Sequence, residues 1–281
     1  MTQTEKCAAF LELHSRESAF LIPNPWSKGT ARLLHSLGFE ALATTSGGYA
    51  FSVARPDNSI GRDEIMAHVA AIVSATPLPV SADLENGFGE APETVAETIR
   101  LGAAAGLAGG SIEDATGNAH APIFEFEHAV DRVRAAAEAS RALPFPFTFT
   151  ARAENYLHGR ADLKDTIKRL QAFQEAGADV LYAPGLLKRE DIAAVVSSVD
   201  VPVNVLVSSR SMGLTLADLS AMGVKRVSVG SALALAALGS FLRAAKELKE
   251  HGTFEFTGES ASYRDLNALF ALPASGPASK P

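Results

Sequence analysis

The sequence has a single cysteine, Cys7, among 281 residues. That excludes an internal disulfide framework and a thiolate metal cluster, and it suits a reducing cytoplasm. No uncharged apolar run reaches the length of a membrane span, and Met1 to Phe20 is interrupted by Glu5, Lys6, Glu12, His14, Arg16 and Glu17, unlike a secretory signal. The expectation is a soluble cytoplasmic protein. Basic residues are in deficit: the net charge of -7 argues against a nucleic-acid or anionic-membrane surface. The seven histidines show no H-x-x-x-H or H-E-x-x-H spacing, which leaves a histidine-based zinc site without support. No G-x-G-x-x-G follows the first apolar run, so a dinucleotide-binding first turn is missing too. Small-molecule chemistry is what these absences leave.

What is present is repetition. An amphipathic stretch, a glycine and a short apolar run recur at Leu37-Gly38-Phe39, Ala105-Gly106-Leu107, Ala176-Gly177-Ala178 and Met222-Gly223-Val224. Glycine just past a helix takes the left-handed conformation that satisfies the last carbonyls, so each triplet reads as a helix end feeding a strand. Eight candidate strands follow: Phe20 to Ile22, Ala41 to Thr45, Pro79 to Asp83, Gly110 to Glu113, Pro146 to Ala151, Val180 to Ala183, Val201 to Leu206 and Arg226 to Val229. Helical periodicity marks Glu93 to Ala105, Phe126 to Arg141, Leu163 to Ala176, Arg189 to Ser198, Leu216 to Met222 and Leu233 to Lys249. Strict alternation predicts parallel pairing and an α/β fold, a (β/α)8 TIM-type barrel over residues 1–258. Residues 259–281 read as a separate unit, an amphipathic helix over Ser262 to Leu272 and a frayed tail over Pro273 to Pro281. Tyr263, Leu266, Leu269 and Phe270 share one face of that helix. With the barrel's eighth helix expected at Leu233 to Lys249, this stripe is predicted to pack on a neighbouring subunit of a homo-oligomer.

In a barrel, chemistry gathers at the carboxyl ends of the strands. There the chain places Asn24, Pro25 and Trp26; Ser46, Gly47 and Gly48; Asp83 and Glu85; Glu113 and Asp114; Arg152 and Glu154; and, within the seventh run, Asn204. Asp57 lies on the long connection after the second strand. The string Asp83-Leu84-Glu85-Asn86-Gly87-Phe88-Gly89 pairs two carboxylates with two turn-permitting glycines, a donor set for a hard cation. Taken singly, each feature has a plainer reading. The string fits a solvated acidic turn, Ser46-Gly47-Gly48 a tight turn, Glu113-Asp114 a cap, and Arg152 a surface pair with Glu154 or Glu175.

Together these segments resemble the isocitrate lyase/phosphoenolpyruvate mutase superfamily over nearly the whole chain. The matching strings are Asn24-Pro25-Trp26 with Gly29 and Ala31-Arg32, Thr44-Thr45-Ser46-Gly47, Pro56-Asp57, Ser81-Ala82-Asp83-Leu84-Glu85 with Gly87 and Gly89, Ile112-Glu113-Asp114, Ala151-Arg152, and Gly223-Val224 with Arg226 to Gly230. The resemblance implies magnesium, with manganese as the alternative ion, and an enolate of a small 2-oxo acid. It implies Asp83 as a direct metal ligand, with Glu85 and Glu113 acting through water. Ser46 and Gly47 would hold the substrate carboxylate, Arg152 the same anion or the leaving group, and Asn118 a further substrate contact; Asn204 is a substrate-contact candidate from its place in the seventh run. Asp57 resembles a mobile aspartate near the metal waters, and Trp26 a substrate wall. The superfamily commonly has aspartate where this chain has Glu85. The resemblance also implies a tetramer or dimer.

Members that cleave hydroxy-tricarboxylates carry a K-K/R-C-G-H loop after the fourth strand, whereas this chain has Ala115-Thr116-Gly117-Asn118-Ala119-His120. There is no cysteine in it; Cys7 is expected in a surface helix as an unreactive thiol. Nor is there a lysine, unlike the phosphoryl-handling mutase and phosphonopyruvate-hydrolase members. A less charged leaving group fits, and His120 is the candidate proton donor. The reading is therefore a lyase cleaving a carbon-carbon bond, or decarboxylating, a small 2-oxo or 2-hydroxy dicarboxylate. Phosphorus-carbon chemistry is the alternative, and a non-catalytic dicarboxylate-binding barrel the second. Gly117 and its small neighbours predict a loop that orders over the mouth with ligand.

Overall fold

The computed structural model describes residues 1–208 and 212–273, so all of the tail expected to fray except Pro273 lies outside the described residues. Eight parallel strands form one sheet: β1 (Phe20–Ile22), β2 (Leu42–Ala43), β3 (Val80–Asp83), β4 (Gly109–Glu113), β5 (Thr148–Arg152), β6 (Val180–Tyr182), β7 (Val203–Leu206) and β8 (Arg226–Ser228). Their order is β1-β8-β7-β6-β5-β4-β3-β2, a nearly closed (β/α)8 barrel. The gap between β1 and β2 is bridged just past the strands. There the Ala43 amide donates to the Pro23 carbonyl at 3.1 Å. The Asn24 side chain donates to the Thr44 carbonyl at 3.0 Å and accepts the Val229 amide at 3.0 Å, tying β2 to β8.

Around the sheet run α1 (Gln3–Ser15), α2 (Lys28–Ser36), α3 (Ser46–Ser52), α4 (Arg62–Ser74), α5 (Pro92–Ala104), α6 (Phe126–Arg141), α7 (Leu163–Glu175), α8 (Arg189–Ser197), α9 (Leu216–Ala221), α10 (Ala232–Glu250) and α11 (Tyr263–Ala271). Four of the helix-strand junctions turn at glycines with positive φ, Gly38, Gly106, Gly177 and Gly223, as the recurring triplets predict. The main core lies between barrel and helices and includes Ile72, Leu84, Ile99, Phe149 and Phe173.

Helix α1 closes the foot of the barrel. Phe10 and His14 meet Phe20 edge-on, with ring centroids 6.4 and 5.0 Å from it and 4.8 Å from each other, and Cys7 packs in the same cluster. Cys7 is therefore fully buried, not on the surface as expected, and burial pushes its thiol up to about 11. The unreactive reading stands, for a different reason.

His14 shares a short contact with the Phe10 carbonyl at Nδ1 (2.8 Å) and faces the Arg226 guanidinium at Nε2 (3.3 Å). The consistent arrangement is a neutral ring donating from Nδ1 and accepting at Nε2. Burial, and then Arg226, push its pKa down to about 3. The unfolded chain takes up this proton below about 6.5 while the native state refuses it, so the His14 contribution to stability is present above pH 6.5 and is lost as pH falls toward 3. Buried carboxyls such as Glu85 and Asp114, raised to about 8 and about 6, titrate with the opposite sign. The clean observable is therefore a difference. The stability of the wild type minus that of His14→Gln should fall by about 1.4 kcal/mol per pH unit below pH 6.5. Urea denaturation at pH 7.5, 6 and 5 measures it, and a pH-independent difference would place the proton elsewhere.

Helix α10 departs from expectation. Its sequence predicts the barrel's eighth helix, yet it buries only Ala234 and leaves Leu235, Leu238, Phe241 and Leu242 exposed. Helix α11, expected to lack a place in its own chain, lies against α2. Arg32 donates to the carbonyls of Leu269, Phe270 and Leu272, and its guanidinium sits 5.5 Å from the Phe270 ring. Tyr263 remains 87% exposed, so the predicted apolar stripe is only partly covered.

Candidate active site

A cavity of about 420 Å³ opens at the carboxyl end of the barrel, lined by Ser46, Gly47, Asp57, Asp83, Glu113, Arg152, Glu154 and Asn204 among others. Its centre is Arg152, the last residue of β5, which stands in register beside Glu113, the last residue of β4. Nη1 donates to Asp83 Oδ1 at 2.9 Å, Nη2 pairs with Glu113 Oε2 at 3.0 Å and Nε donates to Glu154 Oε1 at 2.8 Å. Arg152 thus does pair with Glu154, but inside the mouth, with its side chain 12% exposed. Its guanidinium lies 5.1 Å from the Tyr182 ring centre.

Asp83 ends β3. Its Oδ1 accepts from Arg152 and from the Glu85 amide at 3.2 Å, and its Oδ2 accepts the Ser46 hydroxyl at 2.8 Å. Ser46 and Gly47 form the first turn of α3, not a bare tight turn, capped by Thr45 whose hydroxyl accepts the Gly48 amide at 3.2 Å. A side chain at Gly47 would meet Ser231 Oγ at 2.9 Å and Asp57 Oδ2 at 3.0 Å, so glycine there is what lets the Asp57 loop approach. Asp57 lies near Ser46, its Oδ1 3.4 Å from the hydroxyl.

The turn after β3 is held from behind. Arg132 on α6 is buried and donates to the carbonyls of Asn86, Gly89 and Glu90, with its guanidinium 4.2 Å from the Phe124 ring centre. Glu85 itself stands at φ 49, a left-handed conformation that costs of the order of 1 kcal/mol outside glycine; its amide donates to Asp83 Oδ1 and its carbonyl accepts the Glu113 amide at 3.0 Å.

The electrostatics show one dominant shortage. Burial first, then the Asp83 and Asp57 charges, push Glu85 up to about 8. Asp57 is raised by desolvation and then by Asp83. Burial raises Glu113 well above the usual carboxylate range, with Arg152 opposing the shift. Glu85 Oε1 is buried without a hydrogen-bond partner. A mouth with more carboxylate than cation, the oxygen ligands of Asp83 and Glu113, and an orphaned carboxylate oxygen on nearby Glu85 fit a small hard cation. Among the described residues no three His, Cys, Asp or Glu side chains are disposed to grip one ion directly. The fit is thus to an ion that takes one or two carboxylates and keeps its waters, as magnesium does.

Four candidates lie outside the cavity lining: Glu85, in the turn after β3, Asn118, His120 and Trp26. Asn118 and His120 are exposed and do not line the cavity. Their loop is an internally bonded hairpin: the Thr116 amide donates to the Pro122 carbonyl at 2.9 Å, the His120 amide to Asn118 Oδ1 at 3.0 Å, and Ala115 bridges Ile123. Trp26 is half-buried outside the cavity lining, its amide donating to Thr30 Oγ1 at 3.1 Å. Asn204 does line the cavity, with Oδ1 accepting from Arg226 and Nδ2 donating to Ser228 Oγ at 3.0 Å. Sequence reasoning misses three of the lining residues as site groups: His158, Tyr182 and Arg226. His158 follows Glu154 by one helical step, a spacing that the sequence does show. Tyr182 ends β6 but falls inside the predicted run Val180 to Ala183, and Arg226 begins β8.

With this geometry in view, the match to known proteins is decisive. The family model described as phosphoenolpyruvate phosphomutase matches residues 10–249. The chain belongs to the isocitrate lyase/phosphoenolpyruvate mutase superfamily. Within the superfamily, it is 61% identical to a protein of Burkholderia cenocepacia J2315 described as a lyase/mutase, whose crystal structure superposes with a TM-score of 0.95 over 97% of this chain and 98% of that one. An uncharacterised protein of Mycobacterium tuberculosis is 32% identical over 92% of this chain and 95% of its own length. The 2-methylisocitrate lyase of Salmonella typhimurium is 32% identical over 62% of this chain and 60% of its own. Superfamily members are lyases and mutases that act on small carboxylates.

Proposed function

We propose that this protein is a magnesium-dependent lyase that cleaves a carbon-carbon bond of, or decarboxylates, a small 2-oxo or 2-hydroxy dicarboxylate by way of its enolate, with manganese as a substitute ion. The observation that carries the reading is the charge around the cavity. Among the described residues no lysine lines it, Arg152 is already shared by Asp83, Glu113 and Glu154, and the other lining arginine, Arg226, is buried against Asn204 and Thr150. A transferring phosphoryl group needs cations on its oxygens, and among the described residues the arginine beside Asp83 and Glu113 is Arg152, already paired with carboxylates. A leaving carbon dioxide or carbonyl fragment needs none.

Asp83 would hold the ion directly, and Glu85 and Glu113 its waters; when bound, magnesium supplies a Lewis acid for the charge that grows on the C2 oxygen. The first-turn amides of Ser46 and Gly47 take the substrate carboxylate, favoured by the start of α3. Arg152 fixes Asp83 and Glu113 in place while presenting its remaining N–H groups to the substrate. Asp57 closes the mouth over Ser46. His158, the imidazole that lines the cavity, carries the proton exchanged with the enolate carbon, a role the sequence alone assigns to His120.

The test is a panel of oxaloacetate, substituted malates, phosphonopyruvate and phosphoenolpyruvate with magnesium. Release of pyruvate or another 2-oxo acid without phosphate is the expected result; phosphate from phosphonopyruvate would reverse the assignment, and binding without turnover would leave a sensor. On the productive substrate, His158→Gln should lower kcat by about 10²- to 10⁴-fold and His120→Gln should leave it at the wild-type value. Parallel losses in both variants would return the proton to the hairpin.

We further propose a homo-oligomer, a tetramer or a dimer, assembled chiefly through the exposed apolar face of α10, with the remaining stripe of α11 as an accessory. Leu238→Glu combined with Phe241→Glu should reduce the mass measured by light scattering to that of one chain. Truncation after Gly258 should leave the assembled mass unchanged; a monomeric truncate would make α11 the principal contact.

A further inference from the structure

We propose that Arg226 is the specificity-determining cation of this site, an anion receptor deep in the cavity that selects substrates carrying a second carboxylate. The inference rests on the dicarboxylate reading above and deepens it. Arg226 begins β8, is 5% exposed and lines the same cavity as Asp83 and Ser46. Its guanidinium is surrounded by neutral partners: Nε donates to Asn204 Oδ1 at 2.9 Å, Nη2 to Thr150 Oγ1 at 3.0 Å, and Nη1 lies 3.3 Å from His14 Nε2.

Arg152 provides the contrast. Both arginines are buried in one cavity, yet Arg152 is paired with three carboxylates and Arg226 with none among the described residues. A guanidinium has five N–H donors, of which three are occupied here, leaving one on each terminal nitrogen. An isolated buried charge is among the most costly groups in a fold, and proteins retain one where a counter-charge arrives with a ligand. Asn204, Thr150 and His14 fix the plane of the fork while supplying no charge of their own, which is how a preorganised anion receptor is built. The cavity thus has two poles. At the mouth, oxygen ligands and the α3 amides suit the 2-oxo or 2-hydroxy carboxylate head; in the interior, Arg226 suits a second anionic group on the same small molecule. A structural peg between barrel and α1 would account for the His14 contact. It does not account for a full charge where a neutral donor would serve.

Binding calorimetry with magnesium separates these. L-malate and L-lactate share the 2-hydroxy carboxylate head and differ in the second carboxylate, while oxalate probes the mouth by itself. Wild-type protein should bind malate about 10- to 100-fold more tightly than lactate, the worth of a charged hydrogen-bonded pair. Arg226→Gln should abolish that preference while leaving the affinities for lactate and oxalate unchanged. Arg226→Lys keeps the charge and loses the fork, so its preference should fall severalfold, and it carries the test if the glutamine variant does not fold. Equal wild-type affinities for malate and lactate, or a preference unchanged in whichever variant folds, overturns the proposal. Failure of the mouth reading looks different: oxalate then binds without regard to magnesium while the malate preference still follows residue 226.

Discussion

Asp83→Ala is expected to reduce magnesium-dependent turnover by about 10³-fold or more while leaving the barrel folded, because the Lewis-acid contribution of a bound ion is worth several kcal/mol and each 1.4 kcal/mol is tenfold in rate. The fold survives for a local reason. Arg152 keeps Glu113 and Glu154 as partners when Asp83 is removed, so no buried cation is left unpaired. The Ser46 hydroxyl loses its 2.8 Å acceptor and turns to Asp57, already 3.4 Å away. Near-wild-type activity with an unchanged metal requirement would remove Asp83 from the metal site. Glu85→Asp serves as the graded companion. It shortens the side chain by one methylene, restores the residue common in the superfamily, and should change metal affinity far less than loss of Asp83.

Arg152→Met is expected to cost about 3 to 5 kcal/mol of stability as well as activity, since removing one partner of a buried charge cluster leaves the others uncompensated. Asp83, Glu113 and Glu154 then face one another with side chains 21%, 11% and 3% exposed. Glu113 is already raised by burial with Arg152 present; without it the carboxyls must take up protons to remain inside. The sign follows: folded-state carboxyl pKa values rise above their unfolded values, so the native variant binds more protons than the unfolded chain, and its stability recovers as pH falls. Urea denaturation should therefore give a larger deficit against wild type at pH 8 than at pH 6. A deficit under about 1 kcal/mol at both would mean that Arg152 behaves like a surface ion pair.

Much of this arrangement is legible in the sequence. All eight strands lie where apolar runs follow helix-terminal glycines or polar turns, and β1 and α6 have the predicted bounds. These signals are local: a left-handed glycine and a hydrophobic period depend on nearest neighbours along the chain. The convergence of Ser46, Asp57, Asp83, Glu113 and Arg152 is legible for a topological reason, since parallel strands in a barrel bring their carboxyl ends to one place. What misleads is partner identity. The periodicity of Leu233 to Lys249 specifies an apolar face but not what covers it, so a helix that stands off the barrel reads like one that packs on it. Cys7 likewise lies on a helix whose surroundings are set by Phe20 and Ala108, far along the chain. His120 and His158 follow successive strands, and only the folding of the Ala115 to Ile123 hairpin decides which imidazole lines the cavity. Arg226 escapes a search of strand ends because it begins a strand, whereas the rule for barrels looks past their carboxyl termini.

The claim on which all of this depends is that the mouth carboxylates hold a cation that in turn holds a small 2-oxo acid. Oxalate, a planar dianion shaped like the enolate of pyruvate, tests it with no knowledge of the true substrate. Calorimetric titration of the wild-type protein should show oxalate binding with magnesium present and none after chelation, with the metal dependence abolished in Asp83→Ala. Oxalate binding of equal affinity with and without magnesium would contradict it.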